Sequence, residues 1–116
     1  MKEPSRSPTI FTIGANKIGG YLLNRVHPDG GSKARFLELF GFSASAPDIL
    51  AEALLSHAKP EHFAREGVTP LGDRKLVYEG PLHAPNGRSP SVRTVWRVLP
   101  DGTALLVTAV PLKDLG

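Results

Sequence analysis

Ser91-Val92-Arg93-Thr94-Val95-Trp96-Arg97-Val98-Leu99-Pro100-Asp101-Gly102-Thr103-Ala104-Leu105-Leu106-Val107-Thr108-Ala109-Val110 is the stretch that sets the fold class. Two runs rich in Val, Thr and Leu flank a Pro-Asp-Gly triplet, with proline at the second position of a type I turn and glycine at the left-handed bulge position. This is a β-hairpin. Counting back from Leu99 opposite Thr103 places Trp96 opposite Leu106 and Thr94 opposite Thr108 on one side, because strand side chains alternate. The other side carries Arg93, Val95, Arg97, Leu105 and Val107. Both sides hold apolar residues, so the pattern alone does not say which is covered.

Upstream, Lys75 to Glu79 reads as another strand. A Gly80-Pro81 break, Leu82-His83 and a turn over Ala84 to Pro90 then lead into the hairpin. Residues 61–73 are polar, contain Gly67, Pro70 and Gly72, and read as a connecting loop with room for a helical turn around Glu61 to Arg65. Before them, Ile49, Leu50, Ala53, Leu54 and Ala58 line one face of a helix. Ser45 is its expected N-cap, Asp48 lies in its first turn and Lys59-Pro60 closes it. Ser32 caps a shorter helix through Phe40, stopped by Gly41. Tyr21-Leu22-Leu23-Asn24 fits one helical turn or a short strand equally well. Thr9 to Ile13 reads as a short edge strand ended by Gly14. The expected fold is α+β, with N-terminal helices packed on a C-terminal antiparallel sheet of 3–4 strands. Residues 1–8 are expected to form a disordered tail and residues 9–116 a single domain.

The 116 residues include no cysteine, which excludes thiolate zinc sites, disulfides and cysteine nucleophiles. The polar start lacks the apolar core of a secretory signal, and no apolar run approaches a membrane span, so a cytoplasmic protein is expected. The net charge of +3 is unevenly spread. Residues 1–40 carry six basic and three acidic side chains, residues 41–73 two and five, and residues 74–116 six and three. If the outer segments meet, they form a basic surface suited to a polyanion such as nucleic acid.

Chemistry has few places to reside. His57 and His62 have the wrong spacing for two ligands on one helical turn, so no metal site is expected, and His57 reads as a structural histidine. His27-Pro28-Asp29-Gly30-Gly31-Ser32-Lys33 instead places an imidazole in a tight turn feeding a helix N-terminus, where backbone N–H groups attract anions. Lys33 adds a full charge, and Arg88, at the tip of the Ala84 to Pro90 turn, has the guanidinium geometry to grip a phosphate. Thr94 and Thr108 form a hydroxyl pair, and Trp96 reads as core.

These residues also resemble a known family. Tyr21-Leu22-Leu23-Asn24, His27-Pro28, Lys33-Ala34-Arg35-Phe36-Leu37 and Gly41-Phe42 carry the first half of the resemblance. Tyr78-Glu79-Gly80-Pro81-Leu82, Pro85-Asn86-Gly87-Arg88, Val92-Arg93-Thr94-Val95-Trp96 and Leu106-Val107-Thr108-Ala109-Val110-Pro111 carry the second. Over residues 17–112 the chain looks like an uncharacterised bacterial domain family whose members stand alone or end larger toxin-like or phage-related proteins. The order of elements is more distantly similar to the barnase, colicin and RelE-like ribonuclease toxins. That resemblance implies a metal-independent endoribonuclease, the toxin of a toxin–antitoxin pair, with RNA as substrate, a small acidic inhibitor protein as partner and no cofactor. It implies His27, Lys33, Thr94 and Thr108 as catalytic candidates and Arg88 and Arg93 as substrate-binding ones. Where relatives often carry tyrosine before the final proline, this chain has Val110. The alternative is a non-catalytic module that binds protein or nucleic acid through its basic sheet.

Overall fold

The computed structural model describes residues 10–14, 16–24, 26–28 and 31–112. The expected tail, residues 1–8, lies outside them. Five strands form one sheet in the order β1-β5-β4-β3-β2: β1 (Ile10–Thr12), β2 (Phe63–Val68), β3 (Arg74–Pro81), β4 (Ser91–Val98) and β5 (Thr103–Pro111). Two helices, α1 (Gly31–Leu39) and α2 (Pro47–His57), lie between β1 and β2 in sequence.

This corrects the expected fold in two ways. The sheet has five strands and is mixed, because β1 pairs in parallel with β5, Ile10 beside Thr103 and Thr12 beside Leu105. It also includes β2, read from sequence as loop. Phe63-Ala-Arg-Glu-Gly-Val alternates poorly because β2 is an edge strand whose residues are almost all exposed, so no buried face imprints a period on it. Helices therefore do not simply precede a C-terminal sheet; the sheet takes strands from both ends of the chain.

The hairpin at Pro100-Asp101-Gly102 forms as its residues require. Leu99 N–H donates to the Thr103 carbonyl at 2.7 Å, Gly102 adopts φ +90°, and Asp101 Oδ1 accepts from Thr103 N–H at 2.9 Å. Trp96 lies opposite Leu106, but the register then slips by one residue. Val107 is the extra residue of a β-bulge, so Thr94 faces Ala109 and Thr108 faces Val95. The expected Thr94–Thr108 pair does not form.

The core lies on the sheet face that carries Val92, Thr94, Trp96, Leu106 and Ala109. Leu22 and Leu23, Leu37 of α1, and Leu50 and Leu54 of α2 pack with it. Gly41 ends α1 with φ +100°, and an added Cβ there would meet Pro85 Cβ at 3.2 Å, so only glycine fits without strain. Proline at the first position starts α2, and its N-cap is Ala46; the Ser45 hydroxyl instead bonds that of Ser43 at 2.8 Å.

Candidate functional site

The segment after β1 builds the most chemically dense site. Tyr21-Leu22, left open between helix and strand, belongs to a π-helical turn, Ile18–Leu22, in which Leu22 N–H bonds the Lys17 carbonyl at 2.9 Å and Leu23 N–H that of Ile18 at 2.7 Å. Leu22 and Leu23 are drawn into the core, which holds Tyr21 at the surface above β5. There the Tyr21 and Thr108 hydroxyls lie 3.2 Å apart. The His27 ring meets the Tyr21 ring edge-on, centroids 4.9 Å apart. Two ammonium groups reach the same ring, Lys17 Nζ at 4.9 Å and Lys33 Nζ at 5.5 Å from its centroid. An open cleft of about 320 Å³ is lined by Gly14, Asn16, Lys17, Tyr21 and His27.

Of the six expected site residues, the structure gathers His27, Lys33 and Thr108 around Tyr21. Thr94 belongs elsewhere. It is fully buried on the core face with Trp96, and the bulge at Val107 pairs it with Ala109 rather than Thr108. Arg93 is engaged with Glu79, Nε to Oε2 2.7 Å, and Arg65 reaches the same carboxylate oxygen at 3.3 Å. The Arg93 hydrogen bond, with Arg65 beside it, holds the Glu79 carboxyl below the usual range. Arg88 lies on a loop that docks at the far end of α1, where Asn86 N–H bonds the Phe40 carbonyl at 3.2 Å. Lys33 is in the first turn of that helix, so Arg88 and Lys33 stand at opposite ends of α1. Sequence reasoning missed Tyr21 and Lys17. The only available signal was their i, i+4 spacing, which brings a lysine over an aromatic ring only if the segment is helical.

Thr94 serves a buried polar chain. His57 Nε2–H donates to the Gly80 carbonyl at 3.0 Å, which leaves Nδ1 to accept from the Thr94 hydroxyl at 3.0 Å. The Thr94 oxygen in turn accepts from the Trp96 indole N–H at 3.0 Å. Each of these groups has a partner only while His57 is neutral. Burial, reinforced by the nearby His62 and Lys59, holds the His57 pKa below its ordinary 6.5. His62 Nδ1–H donates to the His57 carbonyl at 2.8 Å, and its ring fills the space above Gly80.

Among the described residues no three His, Asp or Glu side chains come together to hold a metal, and no helix is long and apolar enough to cross a membrane. No curated protein matches the chain. Among solved structures, one chain of a contact-dependent growth inhibition toxin–immunity protein complex from Klebsiella pneumoniae 342 is similar in fold. It has a TM-score of 0.68 and 14% identity, and the match covers 86% of this chain and 98% of that one. The match to a family is more direct and spans residues 9–113. By that match the chain belongs to DUF6883, a family described as a domain of unknown function.

Proposed function

We propose that this protein is a toxin-like, metal-independent ribonuclease whose site is the Tyr21 cleft. One observation carries the reading: an imidazole, a phenol, a second hydroxyl and two ammonium groups gather around Tyr21, which with His27 and Lys17 lines an open cleft. Lys17 and Lys33 bring two positive charges to one ring, where a phosphate would meet both.

Cleavage without a metal needs a base, an acid and a charge stabiliser. His27, through its imidazole, takes the proton from a ribose 2′-OH. The 2′-oxygen attacks the adjacent phosphorus, and the bond to the 5′-oxygen breaks. The products are a 2′,3′-cyclic phosphate and a 5′-OH. The Tyr21 O–H, positioned by Thr108, supplies the proton to the departing oxygen. Lys17 and Lys33 bear the charge that develops on the phosphorane. The likeness of fold to a chain of a toxin–immunity complex supports the toxin side of the reading, and an inhibitor protein follows as the natural partner.

The test is cleavage of a mixed RNA substrate. His27→Ala is expected to slow it by about a hundredfold to ten-thousandfold with RNA affinity nearly unchanged, whereas Lys33→Ala weakens both affinity and turnover. Chelator is expected to have no effect. Absence of cleavage by the wild type, or normal cleavage by His27→Ala, leaves a non-catalytic binding module, which the burial of Thr94 away from the cleft already favours.

A further inference from the structure

We propose that the outer face of β2, β3 and β4 is a docking site for an acidic segment of a protein partner, taking a carboxylate beside Lys75. The inference stands on this face alone and goes beyond the cleavage reading. The β3–β4 register puts Leu76 opposite Trp96 and Tyr78 opposite Thr94, all buried on the core face. Lys75, Val77 and Glu79, paired with Arg97, Val95 and Arg93, therefore project from the other side. The buried Val77 and the half-buried Val95 floor a groove of about 320 Å³ there, with Arg65, Lys75 and Arg93 among its walls. The groove exists because Gly67, opposite Lys75, has no side chain: a Cβ at that position would lie 3.1 Å from Lys75 Cε.

The charges on this face are not equivalent. Arg65 and Arg93 share Glu79, and Arg97 reaches Asp73 at 3.3 Å. Lys75 makes no ion pair among the described residues, so it is the cation left to recognise an incoming carboxylate. Two features favour a protein over a nucleic acid. The floor is apolar. The neighbouring aromatic rings, Tyr78 and Trp96, are buried on the opposite face, so no platform for base stacking is offered.

The experiment is an NMR titration of the isotope-labelled full chain with a synthetic peptide of repeating Glu-Leu-Glu-Val. A single-stranded oligouridylate is titrated in parallel. The peptide is expected to move the amides of Lys75, Val77, Arg93 and Val95 and to leave those of Tyr21 and His27 in place. Lys75→Glu is expected to weaken the peptide by at least about tenfold, and Lys75→Arg to retain it. Gly67→Val, which fills the groove without changing charge, is expected to abolish binding. The proposal is overturned if the peptide moves no resonance or only cleft resonances, if Lys75→Glu binds it normally, or if the oligouridylate takes the groove more tightly. Oligouridylate shifts at Tyr21 and His27 bear on the cleavage reading only, so failure of either proposal is recognised independently of the other.

Discussion

At the level of single residues, the two threonines expected to share a site show how one inserted residue divides their roles. Thr94 sits at zero exposure between a histidine and an indole, whereas Thr108 is partly exposed and meets a phenol. Thr94→Val leaves both the His57 ring nitrogen and the Trp96 N–H buried without a partner. Urea unfolding is therefore expected to show a loss of about 1–3 kcal/mol, against a few tenths for Thr108→Val, whose partner Tyr21 remains open to water. An equal loss at both positions is the contrary result. His27 and Lys33 could be singled out from their place in a Gly-rich turn, and the structure brings both to the Tyr21 ring. Tyr21 and Lys17 could not, because their value depends on a π-helical turn for which the sequence offers no distinct period.

Among the elements, those that bury one face were legible and those that do not were missed. The β4–β5 hairpin could be placed from Pro100-Asp101-Gly102, and α2 from its apolar stripe, because turn chemistry and burial both leave marks in the sequence. The bulge at Val107 left none: Leu105-Leu106-Val107 is uniformly apolar, so no alternation records which residue is extra. β2 escaped because it is exposed on nearly every residue. The junction of α1 with the 84–90 loop yields a direct comparison. Gly41 and Gly72 both have positive φ, but only Gly41 also faces close neighbours, Pro85 Cβ at 3.2 Å and Asn86 N at 3.3 Å. Gly72→Ala is expected to cost about 1 kcal/mol from backbone strain alone, and Gly41→Ala distinctly more. Thermal denaturation of the two variants side by side checks it, and equal midpoints would dismiss the packing role of Gly41.

For the molecule as a whole, the buried His57 ties stability to pH. Its folded pKa is depressed by burial, so above the ordinary value of 6.5 the ring is neutral whether the chain is folded or not, and stability is unaffected. Below 6.5 the unfolded chain binds a proton that the folded one refuses, so stability falls as pH drops, by at most about 1.4 kcal/mol per pH unit, until the folded pKa is reached. Urea midpoints measured from neutral pH downward are expected to decline over this window in the wild type. His57→Gln is expected to be less stable at neutral pH and to lose this histidine's part of the slope; an unchanged slope would place the titration elsewhere. The parallel pairing of β1 with β5 has a consequence in time. Ile10 lies beside Thr103, and Tyr21 finds its hydroxyl partner 87 residues further along the chain. On a ribosome, the segment bearing Lys17, Tyr21, His27 and Lys33 emerges long before the strand that anchors it. The proposed activity can therefore arise only once β5 has been made and has paired, however early the cleft residues leave the ribosome.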